Sequence, residues 1–255
     1  MTWHAALLKL RGVPLYPTEV FRLKGGNQTL PDTFTKHLGE RVRLGCPVTG
    51  IERGDSGVRV RFREAGTDKT LEADWLVSAM SLVKLREVPV TPAWPEAREY
   101  VVKGFPYYTA SRPVFQSRTR FWETDQVSVH VQIGESALEH YWATGDDVPT
   151  SRGLLVSTAG GMANVDDSLA IFRKYYTGPS EDIEQAFVID WAKDPWAMAC
   201  EPVNYAPGQL AKFWPRVIEP EGRIQFVGAY ADNLNWGMEA ATRSANRVAA
   251  AIDKA

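Results

Sequence analysis

The chain has 255 residues, 44% of them hydrophobic, with 29 Lys+Arg against 31 Asp+Glu and a formal net charge of −2. Such a length buries a substantial core in one large domain or two interleaved ones. A near-neutral chain without a basic stripe gives nucleic acid or an anionic membrane surface nothing to hold, so small molecules or another polypeptide are the expected partners.

Two cysteines, Cys46 and Cys200, lie far apart and make no C-x-x-C pair, which argues against a disulfide framework or a zinc site and fits a reducing cytoplasm. The opening MTWHAALLKLRG lacks the charge and apolar length of a signal peptide, and no apolar run approaches the roughly 18 residues of a membrane span. Neither secretion nor membrane insertion is expected.

In chain order, Ala5 to Leu10 reads as a short helix ending at Gly12, and Val13 to Thr18 as an extended, proline-containing link. Gly25-Gly26 then breaks a short strand. Asn27 or Thr29 caps a helix from about Pro31 to His37, with Leu30, Phe34 and Leu38 at helical spacing. RVRLGCPVTGIERGDSGVRVRF alternates apolar and charged residues around a turn at Asp55-Ser56-Gly57, which predicts a hairpin. TLEADWLVSAM ends in an unbroken apolar run, as a strand buried on both faces does. Pro89, Pro92 and Pro95 mark a crossing into a second domain.

There the segments 107–122, VSVHVQIG, HYWATG and GLLVSTAGG read as strands of one largely antiparallel sheet. Asn164 caps a helix whose Leu169, Phe172 and Tyr176 share a face, and AFVIDW is a return strand. IQFVGA is a buried strand, followed by a loop and a last helix with Met238, Ala241, Ala245, Val248 and Ile252 in one stripe. His130 and His140 lie on predicted strands without a third ligand, so no metal site is expected. The nine tryptophans are rich for this length and suit either core packing or an aromatic cavity.

Two stretches, WAKDPWAMACEPVNYAPG at 191–208 and FVGAYADNLNWGMEAATRSANRVAAAI near the end, resemble the closing segments of the flavin-dependent amine oxidase family. FRLKGGNQTLPDTFTKHLG and ASRPVFQSRTRFW resemble earlier segments of the same family, so the likeness covers nearly the whole chain. The resemblance implies an α/β (α+β mixed) fold: a partial FAD-binding, Rossmann-like domain interleaved with an antiparallel-sheet substrate domain. Residues 21–84 and 216–255 would form the former, 1–20 and 85–215 the latter. The family's opening G-x-G-x-x-G turn, which seats the dinucleotide pyrophosphate on a helix N-terminus, has no counterpart among the 20 glycines.

Residue by residue, the resemblance makes the main chain of Val48 a contact for adenine, although an ordinary strand residue reads the same way. Arg112 lies nine residues before Phe121, where the family usually has a lysine that holds a water against flavin N5 and is linked to reoxidation by oxygen. An arginine is no equivalent for an amine whose pKa burial lowers, so fast oxidase turnover is not implied; a structural arginine at a strand end is the other reading. Trp191 would lie against the isoalloxazine. Cys200 stands where monoamine oxidases bond the flavin, while most relatives bind it without a covalent link, so a thioether and a buried thiol both stay open.

Glu201 and Trp236 stand in or near the two aromatic positions that flank the substrate amine, which implies a different substrate; Glu201 would pair with a cation or act as a base. Gly228, Ala229, Gly237, Met238 and Glu239 keep the plan of the flavin-facing turn and helix. Tyr230 replaces a glutamate that often contacts the ribose or pyrophosphate, with Asp232 a candidate to take over. The catalytic candidates are therefore Arg112, Glu201 and Trp236. The implied function is hydride transfer from a C–N bond of an amine or amino acid to FAD, in a split enzyme whose second chain carries G-x-G-x-x-G. A catalytically silent binding subunit and a truncated reading frame are the alternatives.

Overall fold

The computed structural model describes residues 21–125, 127–145, 148–161, 163–199, 208–232 and 237–255. The expected elements within 1–20 lie outside them. By contact the chain forms two compact units, residues 1–106 with 201–255, and residues 107–200. It has the expected mixed α/β character.

Among the described residues, the first element of this unit is helix α1 (Thr29–Leu38). No strand precedes it at 21–24, and neither Asn27 nor Thr29 caps it: the cap position is Gln28, in helical conformation and without a side-chain capping bond. None of its residues is buried, and Phe34 is 57% exposed, so helical spacing located the helix but not a covered face. Strands β1 (Val48–Arg53), β2 (Val58–Glu64) and β3 (Thr67–Ala73) form an antiparallel meander. Its first turn is closed by the Gly54 N–H donating to the Gly57 carbonyl at 2.9 Å. Ile51, Val58 and Phe62 point into the core, while Arg59–Glu72 and Arg63–Asp68 pair on the exposed side, where solvent screening leaves such pairs little weight.

Strand β4 (Leu76–Ser78) then leaves the meander; helix α2 (Leu82–Leu85) buries both its leucines. Strand β5 (Val90–Thr91) runs parallel to β1, giving the sheet order β3-β2-β1-β5. Helix α3 (Glu96–Gly104) buries Arg98, Val101 and Val102. Residues 85–106 pack into this unit.

The second unit is a five-stranded antiparallel sheet. Strand β6 (Ala110–Ser117) is followed by the single turn α4 (Phe121–Thr124), then by β7 (Val131–Glu135), β8 (Leu138–Thr144) and β9 (Gly153–Gly160). Helix α5 (Val165–Tyr175) and strand β10 (Ile183–Asp190) complete it, with sheet order β10-β6-β9-β8-β7. The Asn164 cap is present as expected: its Oδ1 accepts from the Asp167 N–H at 2.8 Å, with Asp166 and Asp167 in the first turn and Arg173 and Lys174 in the last, as the helix dipole favours. The helix lays Phe172 onto the sheet, where its ring meets Phe115, Tyr141 and Tyr176 at centroid distances of 5.2, 5.6 and 4.9 Å.

The chain then returns to the first unit through α6 (Gln209–Phe213), β11 (Ile224–Phe226) and α7 (Gly237–Ile252). Phe213 packs against Phe105 and Tyr100, which draws residues near 213 to this unit as well. All three residues of β11 are buried. It runs parallel to β4, which among the described residues has no other strand partner. The apolar run ending in WLVSAM is consequently not buried on both faces: Val77 is 43% exposed.

The face that α7 buries also differs from the expected stripe, for it consists of Ala240, Ser244 and Val248, while Met238 and Ala245 are exposed. Small side chains let the helix approach the preceding turn, and the Ser244 hydroxyl bonds to it.

Candidate functional site

Each unit carries its own set of candidate residues. In the second unit, strand alternation divides the sheet into two faces. Phe115, Tyr141, Ala143 and Leu155 are buried with Phe172 on one. Arg112 belongs to the other, together with Val114, Val156, Thr158, His140 and Trp142. Register builds this face across four strands: Phe187 lies opposite Val114, Val114 opposite Val156, and Val156 opposite Trp142, while Ile189 lies opposite Arg112 and Thr158 opposite His140. Phe187 and Ile189 remain 47% and 41% exposed.

The Arg112 guanidinium carbon lies 5.7 Å from the Trp142 ring centroid, and the His140 ring stacks on the same indole at 5.3 Å. Thr158 Oγ1 is 2.7 Å from His140 Nδ1. Arg112 Nη1 is buried and has no hydrogen-bond partner. Trp191 opens a short 3-10 turn directly after β10, whose last residue, Asp190, pairs in register with Ser111; Asp190 Oδ1 accepts from the Ala192 N–H at 3.0 Å and fixes that turn. The structure therefore brings Arg112 and Trp191 to the same end of the sheet. His140 and Trp142, which flank Arg112, were missed as site residues, although their i, i+2 spacing in HYWATG signals a shared face.

Loss of water around the His140 ring, and to a smaller degree the Arg112 charge, holds its imidazole below the ordinary value of 6.5, against an opposite pull from Glu139. The unfolded chain then binds this proton at higher pH than the folded one. The stability this contributes is complete above about 6.5 and is lost as pH falls through the folded value. An NMR titration of the ring protons is expected to give a midpoint below 6.5, raised by Arg112→Gln; a midpoint at or above the ordinary value contradicts the site as described.

In the first unit, Val48 opens β1 opposite Phe62, and an irregularity before Gly50 leaves the pairing there uneven. Strand β11 leads into Gly228, whose φ of +137° and ψ of 172° turn the chain into a 3-10 turn, Ala229–Ala231. The Gly228 N–H donates to Ser244 Oγ at 2.9 Å, and the Ser244 hydroxyl donates to the Ala241 carbonyl at 2.7 Å, so α7 is tied to this turn. Tyr230 is buried with its ring 6.3 Å from that of Phe105. Asp232 pairs with Arg243 at 3.3 Å, and Arg247 Nη2 donates to the Ala231 carbonyl at 3.1 Å. This commits Asp232 to holding the turn.

Helix α7 starts at Gly237, with φ of +64° and, among the described residues, no atom within 4 Å of where a Cβ would stand, and Gly237, Met238 and Glu239 are exposed. A helix start leaves main-chain N–H donors without intrahelical partners, and an electron-rich carbonyl edge fits that end. Cys200, Glu201 and Trp236 lie outside the described residues. Among the described residues no group of side chains could hold a metal ion, and no helix is long and apolar enough to cross a membrane.

The family model described as flavin containing amine oxidoreductase matches residues 2–253. The L-amino-acid oxidase of Demansia vestigiata is 23% identical across 97% of this chain and 51% of its own length. The flavin-dependent L-tryptophan oxidase of Lentzea aerocolonigenes is 22% identical across 92% and 53%. Among solved structures, putrescine oxidase bound to putrescine superimposes with a TM-score of 0.79 at 19% identity, covering 91% of this chain and 53% of that one. Cyclohexylamine oxidase from Brevibacterium oxydans IH-35A gives 0.77 at 22%, covering 90% and 52%. The chain thus spans about half the length of the relatives it matches, and it belongs to the flavin containing amine oxidoreductase family.

Proposed function

We propose that this chain supplies the substrate-side and ring-side half of an FAD-dependent oxidoreductase acting on a C–N bond of an amine or amino acid. The observation that carries the reading is the family match over residues 2–253, joined to the exposed first residues of α7, Gly237 to Glu239. When bound, FAD supplies the electron sink, taking a hydride from the carbon next to nitrogen. The chain's own work is placement: within the first unit the first N–H groups of α7 suit the pyrimidine edge, and within the second unit Trp191 suits the ring system and the Arg112 face of the sheet suits substrate. Arg112 takes the family lysine's position. Its charge is fixed, so oxygen is expected to be a sluggish acceptor, and Arg112→Lys is expected to speed reoxidation.

The described residues contain no G-x-G-x-x-G turn, and β4 has a free edge among them. These two features support a second polypeptide segment bearing that turn as the partner in flavin binding. The test is purification of the chain alone and together with such a fingerprint-bearing chain, with flavin absorbance recorded before and after anaerobic addition of amines and amino acids. Stoichiometric flavin only in the joint preparation, bleached by substrate, is expected. Full flavin content in the isolated chain overturns the split arrangement, and a joint preparation that holds flavin but is never bleached favours a silent binding subunit.

A further inference from the structure

Of the other arginines of its unit, Arg118, Arg120 and Arg152 each reach a carboxylate, Asp182, Glu123 and Glu184, and Arg173 is exposed to water. Among the described residues Arg112 makes no ion pair, and its Nη1 is buried without a hydrogen-bond partner. A guanidinium keeps its proton at any pH that a protein survives, so the charge is present and must be met by something.

Its neighbours on the open face do not meet it. Ile189, Val114 and Val156 are apolar, Trp142 offers only its ring, and Thr158 is engaged with His140. The imidazole itself is biased toward its neutral form. At the far end of β6 the charges are already balanced, with Glu184 accepting from Arg152 and from Gln116. A cation whose neighbours offer no counter-charge favours an arriving anion.

We infer that this face carries a carboxylate subsite, in which Arg112 receives the anionic end of the substrate with Trp142 at its side. The inference rests on the functional reading above and sharpens it: the substrate is an amino acid rather than a simple amine. The flat fork of a guanidinium matches two carboxylate oxygens, which the compact ammonium of a lysine does not. The apolar row formed by Phe187, Val114, Val156 and Trp142 lies beside it and suits an aromatic or large aliphatic side chain.

The test needs no flavin chemistry. Calorimetric titration of the full chain with benzoate, benzylamine and inorganic phosphate is compared among wild type, Arg112→Gln, Arg112→Lys and the control Arg63→Gln, which alters an exposed arginine paired with Asp68 in the meander. Benzoate is expected to bind wild type and Arg63→Gln alike, and to lose roughly 10- to 100-fold in affinity in Arg112→Gln, the loss typical of a charged hydrogen bond. Arg112→Lys keeps the charge without the fork and should fall between them. Because it alters no apolar contact, it serves the comparison even if Arg112→Gln folds poorly.

Benzoate affinity unchanged in both Arg112 variants overturns the subsite, as does equal weakening of benzylamine or equal binding of phosphate. Failure here is separable from failure of the oxidoreductase reading. Bleaching of flavin by amines with no Arg112-dependent benzoate binding removes the subsite alone. Arg112-dependent binding without any flavin reduction removes the redox role and leaves the subsite.

Discussion

Phe172→Ala is expected to lower the stability of the sheet unit by about 3–5 kcal/mol, the usual range for truncating a fully buried aromatic. Phe172 has no exposed surface, and its ring touches those of Phe115, Tyr141 and Tyr176, so the deletion removes one large apolar surface and three aromatic pairs together. Collapse cannot refill the space easily. Phe115 and Tyr141 project from the same face of one hydrogen-bonded sheet, on strands β6 and β8, and Tyr176 is held by its hydroxyl donating to the Ser128 carbonyl. Phe172→Leu keeps most of the volume and loses the ring pairing, so a cost of about 1–2 kcal/mol is expected.

Hydrogen exchange on the full chain is the suitable measurement, because two units need not unfold as one. Amides of β6, β8 and β9 should lose protection in Phe172→Ala while those of β1 and β2 keep theirs. A loss below about 1 kcal/mol, or one spread evenly over both units, would show that α5 does not anchor the sheet as described.

What could be read from the sequence follows from how local the signal is. The Asn164 cap, the two aspartates behind it and the spacing of Leu169, Phe172 and Tyr176 lie within four turns of chain, and all reappear in α5. The hairpin at residues 54–57 was legible for the same reason. By contrast, the neighbourhood of Arg112 is assembled by pairing across β10, β6, β9 and β8, strands separated by tens of residues, and no local pattern says which side chains will meet. Helix α1 shows the reverse failure: its spacing is helical, yet none of its residues is buried, because periodicity records an apolar stripe and not what covers it. The misread stripe of α7 has a third cause. Close approach selects small residues, and a hydropathy scale favours a face of Met238 and Ala241 over one that contains Ser244.

That close approach also sets the last expected result, a loss of about 1–3 kcal/mol in Gly228→Ala from backbone strain at a conformation open essentially only to glycine. At φ of +137° and ψ of 172°, an added Cβ would stand 2.9 Å from Tyr230 Cε1 and 3.1 Å from Cδ1. The ring cannot swing away freely, since Tyr230 is 4% exposed and packs against Phe105. If the backbone yields instead, the Gly228 N–H moves off Ser244 Oγ, which loosens the start of α7 from β11. Strain and crowding are separable. Gly228→Ala combined with Tyr230→Ala removes the clash and leaves the unfavourable φ, so the double variant should be less destabilised than the sum of the two singles, a coupling that a double-mutant cycle measures. Hydrogen exchange should show the loss at the first turns of α7 and at β11, with the second unit's sheet unaffected. Strictly additive energies would mean that only the backbone angle matters, and an unchanged stability in Gly228→Ala would mean that the turn after β11 does not have the geometry described for it.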